Sequence, residues 1–276
     1  FLLAIIIFIR FLIPPIYTQL QVLINNLPSI FEEIEKGNLF VCTDYGTTDR
    51  HNYIDDAIKR GCSCVLAAHS VGLKSVPIII GKPNDQIASI CSKFYEEPQK
   101  KMVMIGVTGT DGKTSTSTII QTLIGKDKCG YIGTNGYSCS KFNKDTLNTT
   151  PDSVKLFGYL DEFIKAGCEY VSMEASSEAL MKGRLNEIEY DCSILTNITS
   201  EHLNIHGNLE NYVLSKCKLF EKTKKDGYCV LNKDDVHYKE VLKHCNGKVV
   251  TYGSTPNNDL YYYDIELNTT YTLFKF

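Results

Sequence analysis

The sequence contains no Cys-x-x-Cys spacing, no internal repeat, no low-complexity tract and no apolar run long enough to span a bilayer. Each absence argues against a class of protein. The eleven cysteines stand singly, apart from the close pair Cys62 and Cys64, which speaks against a zinc ribbon or a dithiol redox centre. Many fall in apolar runs such as Tyr190-Asp191-Cys192-Ser193-Ile194-Leu195, where a thiol acts as a small buried hydrophobe. A reducing cytosol, and hence a cytoplasmic protein, is the expected setting. The apolar opening, Phe1 to Ile9 with Arg10 and then Pro14-Pro15, lacks the basic n-region and cleavage site of a secretory signal. Beginning with Phe rather than Met, it reads as a truncated or mispredicted start, and no stable membrane insertion is expected. Nor is there a surplus of positive charge: a net charge of −3 gives no reason to expect a nucleic-acid partner. An anionic ligand would have to be met by local Lys and Arg groups.

What is present is the composition of an ordinary globular chain, 276 residues with 43% hydrophobic and 22% charged. That length suits one large domain or two modest ones. Leu39-Phe40-Val41, Cys64–Ala67 and Pro77–Ile80 read as strands, with helices expected over Asn52–Arg60 and over Asn84–Tyr95, the latter opening on an Asn cap. The proline-containing polar stretch 96–101 reads as a linker. The pattern then restarts. Strands are expected at Met102–Val107, Tyr170–Met173, Cys192–Thr196, Tyr228–Leu231 and Lys248–Thr251, and helices at Lys113–Leu123, Asp152–Ala166, Leu209–Glu221 and Val236–His244. Strands alternating with helices of this length imply a parallel, doubly wound sheet. The expectation is an α/β protein: an irregular start over 1–36, a small N-terminal α/β domain over 37–97, and a P-loop domain with a doubly wound, mostly parallel sheet over 102–276. Residues 260–276, alternating around Asn268-Thr269-Thr270, read as a β-hairpin.

Between the strand ending at Val107 and the helix from Lys113 lies Gly109-Thr110-Asp111-Gly112-Lys113-Thr114. A glycine-rich turn there aims backbone N–H groups at an anion, and the helix N-terminus adds partial positive charge. Lys113 would reach the β- and γ-phosphates of ATP and the Thr114 hydroxyl would ligate Mg²⁺. The general spacing Gly-x-x-x-x-Gly-Lys would need Gly at position 107, where this chain has Val107. A glycine turn with a surface lysine is the plainer alternative. The strand leading in and the Lys-Thr leading out argue against it.

Val107-Thr108-Gly109-Thr110-Asp111-Gly112-Lys113-Thr114 is similar to the Gly-Thr-Asn-Gly-Lys-Thr loop of Mur ligases and folylpolyglutamate synthases. Four further segments narrow the resemblance to the MurE branch, the UDP-N-acetylmuramoyl-tripeptide synthetases. Thr149-Thr150-Pro151-Asp152 resembles that branch's Thr-Thr-Pro-Asp, and Met173-Glu174-Ala175-Ser176-Ser177 its Met-Glu-Val-Ser-Ser. Thr196-Asn197-Ile198-Thr199-Ser200-Glu201-His202 with His206-Gly207 resembles Thr-Asn-x-x-x-Asp-His-x-x-x-His-Gly. Leu231-Asn232-Lys233-Asp234-Asp235 resembles Leu-Asn-x-Asp-Asp. In order and spacing these cover roughly residues 37 to 275.

The resemblance implies amide ligation through an acyl phosphate, with ATP and Mg²⁺ as cofactors and UDP-N-acetylmuramoyl-peptide and an amino acid as small-molecule substrates. It assigns Gly109 to Thr114, Ser115, Asn197 and Asn232 to ATP, with Asp235 also bordering the base. It assigns Thr114, Glu174, His202 and a carbamylated Lys216 to metal, with Lys113, Lys216 and His202 catalytic. Asn148, Thr149, Thr150, Ser176, Lys182 and Arg184 fall to the UDP-muramoyl-peptide. Without the family, Lys216 would be an ordinary lysine on an amphipathic helix, and Glu174 an exposed carboxylate at a strand end. Several positions depart from the pattern. Lys182 stands where Gln is usual, Glu178 where His is common, and Glu201 and Asn204 where Asp is usual. Gly37-Asn38-Leu39-Phe40-Val41 is recognisable, but the upstream Asp-Ser-Arg is replaced by Ile30-Phe31-Glu32. Either the start is corrupted, the favoured reading, or the substrate is not UDP-linked. A C-terminal amino-acid-binding domain is expected to be absent, which would leave the added amino acid unreadable. A monomer is expected. Two rivals stand beside this reading: a folylpolyglutamate- or cyanophycin-type ligase, and a non-catalytic nucleotide-binding remnant.

Overall fold

Leu39–Val41, Cys64–Ala67 and Ile78–Ile80 form strands β1, β2 and β3 of a parallel three-stranded sheet in that order. The computed structural model describes residues 38–43 and 49–276, so the readings of the first 36 residues, including Ile30-Phe31-Glu32, lie outside the described residues. Parallel neighbours need a crossover. Part of it is a 3-10 turn, Arg50–Tyr53, capped by the Asp49 carboxylate accepting from His51 N at 2.9 Å, and then helix α1 (Ile54–Lys59). The single helix expected over 52–60 is thus two pieces. Phe40, Cys42, Ile54, Ala57, Cys62, Val65 and Ala67 make the core of this unit. The thiols serve there as small apolar groups, as the sequence suggested.

The chain passes to a second compact unit between Asn84 and Asp85, near the start of helix α2 (Pro83–Phe94), and not at residues 98–101. Pro83 opens this helix with the fixed φ of a first-turn proline, so Asn84 lies inside it and is not its cap. The stretch expected to be a linker is in part built into the fold: Pro98 and Gln99 are buried in a 3-10 turn, and Gln99 Nε2 donates to Ser92 Oγ at 2.7 Å.

The second unit is organised by a nine-stranded sheet. Its strands are β4 (Val103–Thr108), β5 (Cys129–Gly133), β6 (Gly136–Cys139), β7 (Phe142–Lys144), β8 (Tyr170–Glu174), β9 (Tyr190–Leu195), β10 (Thr223–Asn232), β11 (Lys248–Gly253) and β12 (Leu260–Tyr261). Across the sheet they run β12-β11-β10-β9-β4-β8-β5-β6-β7. All pairings are parallel except β5 with β6 and β6 with β7, which fold back antiparallel at one edge. Helices α3 (Lys113–Ile124), α4 (Ser153–Ala166), α5 (Ser177–Met181), α6 (Leu203–His206), α7 (Leu209–Glu221) and α8 (Tyr238–Lys243) lie in the connections. In α4, Leu156, Phe157, Leu160 and Phe163 recur at helical spacing and are fully buried, while Asp152 caps the N-terminus through Lys155 N at 3.1 Å. The hairpin expected at the chain end is β13 (Tyr263–Leu267) with β14 (Thr272–Lys275), though Leu260–Tyr261 joins the main sheet instead.

β4 lies between β8 and β9, and all three point their carboxyl ends the same way, in register at Val107↔Glu174 and Thr108↔Leu195. Open α/β sheets bind ligands outside the carboxyl ends, where the order of winding reverses. Here that place is the end of β4. No helix among the described residues is long and apolar enough to cross a membrane.

Candidate active site

The chain leaves β4 at Thr108, turns through Gly109–Gly112 and enters α3 at Lys113. Gly109 is obligatory on steric grounds. Its φ is +155°, and a Cβ there would stand 1.8 Å from Thr196 Oγ1 and 3.0 Å from the Asn197 carbonyl oxygen. That closeness is the means by which the loop is held. Thr196 Oγ1 donates to Asp111 O at 2.6 Å, Asn197 Oδ1 accepts from Asp111 N at 3.0 Å, and Thr110 N donates to Asn197 O at 2.7 Å. Thr110 Oγ1 accepts from Thr199 N at 2.9 Å and lies 3.1 Å from Tyr212 Oη. Asn197 therefore serves the loop directly. Asn232 and Asp235, expected at the base, spend their polar atoms on the framework: Asn232 Nδ2 donates to Thr196 O at 2.8 Å and Asp235 Oδ2 accepts from Ile198 N at 2.6 Å.

The loop suits an anion. Gly112 is the N-cap of α3 and supplies no side chain to satisfy the helix's first N–H groups. Two lysines converge on one carbonyl: Lys113 Nζ and Lys216 Nζ donate to Gly109 O at 2.9 and 2.7 Å, and Lys113 also reaches Thr110 O at 2.7 Å. Ser115 is exposed on the first turn of α3. Lys216 is not a solvated lysine on an amphipathic helix: it is 1% exposed, with its ammonium 4.4 Å from the Tyr212 ring centroid. Burial first, and then the neighbouring Lys113 charge, bring its amine down to about 7. On helix α7, Lys216 lies on the same buried face as Tyr212, Val213, Leu219 and Phe220, so its position on the helix marks its burial where its residue type does not.

Glu174 ends β8 and is fully buried, which overturns the exposed-carboxylate alternative. Four hydrogen bonds hold it: Tyr131 Oη at 2.7 Å and Thr134 N at 2.9 Å on Oε1, and Thr114 Oγ1 at 3.0 Å and Thr134 Oγ1 at 3.3 Å on Oε2. Burial and then the Glu174 carboxylate push the Tyr131 phenol up, so it remains a proton donor. Gly133 permits this approach, since a Cβ there would fall 2.1 Å from Glu174 Oε1. Tyr131, Gly133 and Thr134 escaped the sequence reading. Their signal was present in Asn135-Gly136, a hairpin dipeptide between two short apolar runs.

Thr114 and Glu174 together offer a hydroxyl and a carboxylate beside the phosphate loop. Mg²⁺ prefers oxygen donors, usually keeps several waters and takes only one or two protein carboxylates, with substrate phosphates completing its shell. The donor set fits that ion. Among the described residues, no three His, Cys, Asp or Glu side chains form a metal-holding group. His202 carries a left-handed backbone (φ 53°), is about half exposed, and pairs with Glu201 at 3.5 Å. Among the described residues, no hydrogen bond or ion pair joins His202 or Lys216 to Glu174.

A cavity of about 180 Å³ opens beside this group, lined by Asn148, Thr149, Thr150, Ser176, Ser177, Glu178, Arg184, His202 and Ile205. It includes five of the six expected substrate residues; the sixth, Lys182, does not line it but bonds to Glu178, which does. Thr150 ties the cavity to the backbone of Glu174: its hydroxyl donates to the Glu174 main-chain carbonyl at 2.7 Å and accepts from Ser176 N at 3.0 Å, and its own carbonyl accepts from Arg184 Nη1 at 3.3 Å. Thr149 Oγ1 lies 3.0 Å from Thr134 Oγ1. Below, His206 Nε2 lies 3.0 Å from Ser177 Oγ, and burial chiefly depresses the imidazole's pKa.

A strand–loop–helix of this kind at the centre of a mostly parallel sheet defines a P-loop α/β protein. Residues 107–276 match the Mur ligase middle domain, and the chain belongs to the Mur ligase family. It is 37% identical over 233 residues to the UDP-N-acetylmuramoyl-L-alanyl-D-glutamate--2,6-diaminopimelate ligase of Fusobacterium nucleatum subsp. nucleatum, a match covering 83% of this chain and 48% of that protein. It is 33% identical over 244 residues to the UDP-N-acetylmuramoyl-L-alanyl-D-glutamate--L-lysine ligase of Staphylococcus epidermidis, covering 86% of this chain and 49% of that one. A solved 2,6-diaminopimelate ligase of the same name superposes with a TM-score of 0.75 at 27% identity, over 88% of this chain and 51% of its own. The similarity within the family is thus to the MurE branch, and the chain spans about half the length of the curated relatives it matches.

Proposed function

We propose that this chain carries the nucleotide- and carboxylate-handling half of a MurE-type ligase, which joins an amino acid to UDP-N-acetylmuramoyl-dipeptide in peptidoglycan synthesis at the cost of ATP. One observation carries the reading. The Glu174 carboxylate accepts from Thr114 of the phosphate loop and from Thr134, whose hydroxyl also meets that of cavity-lining Thr149, so a phosphoryl donor and an anionic acceptor would sit on either side of one buried carboxylate. Positioning two anions against each other, and neutralising them, is most of what phosphoryl transfer to a carboxylate demands.

The loop N–H groups and Lys113 would hold the nucleotide phosphates, Lys113 leaving the Gly109 and Thr110 carbonyls to do so. Thr114 and Glu174 would hold Mg²⁺, whose chemistry there is charge neutralisation between phosphate and carboxylate. Asn148, Thr149, Thr150, Ser176 and Arg184 would bind the UDP-muramoyl-peptide, with hydroxyls and one guanidinium as donors to its oxygens. Lys216 is suited to carbamylation. An amine titrating at about 7 is substantially neutral at neutral pH, and the neutral amine is the form that adds CO₂, releasing a proton and leaving a carboxylate-like carbamate. With His202 that carbamate would serve a second metal. The reading includes a cytoplasmic monomer and does not choose between diaminopimelate and lysine as the amine.

The test is ATP-dependent transfer of radiolabelled amino acids to UDP-N-acetylmuramoyl-L-alanyl-D-glutamate, run with this chain and with the longest product of its gene. Product formation with one amino acid, and ADP release stimulated by that acceptor, is expected. ADP release stimulated by a folate and not by the muramoyl acceptor would overturn the proposal.

A further inference from the structure

Glu178 lies in the cavity wall with Arg184. Its Oε1 accepts from Lys182 Nζ at 2.7 Å and from Arg184 Nη2 at 3.3 Å. One internal carboxylate therefore already engages the lining Arg184 and the neighbouring Lys182, and these three side chains together keep a single net positive charge. Arg184 has an independent anchor, since its Nη1 donates to Thr150 O at 3.3 Å, and Thr150 is tied in turn to Glu174 and Ser176. Loss of Glu178 would leave the guanidinium in place. The carboxylate is also the looser partner: the Glu178 side chain is 35% exposed, against 13% for Arg184 and 19% for Lys182. Burial alone would favour its protonated form, but the Lys182 hydrogen bond and the Lys182 and Arg184 charges outweigh that and keep it ionised.

We infer that Glu178 is an internal counter-anion of the cavity, which occupies the Arg184 guanidinium in the ligand-free chain and is displaced when a carboxylate or phosphate group of the ligand takes its place. The inference rests on the reading above that this cavity receives an anionic ligand. A charge held in the wall repels an incoming anion and competes for its best donor. Glu178 would therefore set the affinity of the site and its dependence on salt. Its sign is unusual for a residue in a binding site, because removing it strengthens binding.

Calorimetric titration of UDP-N-acetylmuramoyl-L-alanyl-D-glutamate into the full chain tests this in the wild type, E178Q, E178A and K182Q. E178Q and E178A are expected to bind about tenfold tighter, with the gain shrinking as ionic strength rises. K182Q removes a cation but leaves Glu178 on Arg184, and should bind more weakly than wild type. A parallel titration with UDP-N-acetylglucosamine, which has the pyrophosphate without the dipeptide carboxylates, assigns the displacing group. A gain there points to phosphate, and a gain confined to the dipeptide ligand points to carboxylate. Unchanged or weaker binding by both Glu178 variants, beside a wild type that binds, overturns the inference and leaves the proposed function standing. No binding by any of the four proteins overturns both.

Discussion

Replacing Gly109 by Ala should damage the loop in two separable ways. The new Cβ would lie 1.8 Å from Thr196 Oγ1, so the loop or Thr196 must move, and overpacking of this kind costs about 1–3 kcal/mol. The φ of +155° is one that L side chains rarely adopt, which adds about 1–3 kcal/mol. A total loss of roughly 2–6 kcal/mol is expected. The steric part should be recoverable. Thr196→Ala removes the clashing oxygen at the expense of its 2.6 Å hydrogen bond to Asp111 O, worth about 1 kcal/mol. The double variant should therefore be more stable than the sum of the singles predicts, with a coupling of about 1–3 kcal/mol. Urea unfolding measures this, and tyrosine fluorescence can follow it cleanly because the chain has 17 Tyr and no Trp. Calorimetry with a non-hydrolysable ATP analogue should show weakened binding in Gly109→Ala. Strict additivity in the cycle, or a single variant as stable and as tight as wild type, would refute the steric account of the loop.

Three further outcomes follow from the same geometry. Lys216 titrates at about 7 in the folded chain, below its ordinary value of 10.5, so between these two pH values the unfolded chain holds the extra proton. Stability should therefore rise with pH across that window, by up to about 1.4 kcal/mol per pH unit relative to Lys216→Met in CO₂-depleted buffer; identical pH slopes for the two proteins would contradict its burial. Glu174→Gln turns an amide NH₂ toward one of the groups that now donate to the carboxylate, so a loss of about 1–3 kcal/mol in chemical denaturation is expected. Its affinity for nucleotide should also lose its Mg²⁺ dependence, and full retention of that dependence would remove Glu174 from the metal's side. Tyr131→Phe deletes only one of the four donors to Glu174, so a smaller loss of about 1 kcal/mol should appear in the same measurement.

The long elements were legible because their local signals agree with the fold. α4 has its Asp152 cap and its apolar face, and α7 runs over the range its pattern predicts. The elements that were missed are those whose signals are short. β5 begins with Cys129-Gly130, β6 has four residues and α5 five, too few for any periodicity to declare itself. The stretch 96–101 reads as a linker from its proline and its lack of apolar period, and neither signal reveals that Pro98 and Gln99 are buried. Gln99 is buried there, with its Nε2 donating to Ser92 Oγ.

The sequence alone determined the chemistry on offer: the loop Gly109–Thr114, the carboxylate of Glu174, the lysines 113 and 216, and the hydroxyls of Thr149, Thr150 and Ser176. Their order along the chain is a covalent fact, and strand-loop-helix punctuation is a local one. What only the tertiary structure decided is which of these groups face one another and in what state. Thr114 meets Glu174 because β4 and β8 pair in register, with Val107 opposite Glu174 although the two are far apart along the chain. Lys216 loses its ordinary basicity because α7 packs it under the loop against Lys113. Glu178 engages Arg184 because the turn after α5 folds back on the cavity. Burial and the sharing of one hydrogen-bond acceptor by two distant donors depend on packing across the whole sheet, and no local pattern of residues encodes them.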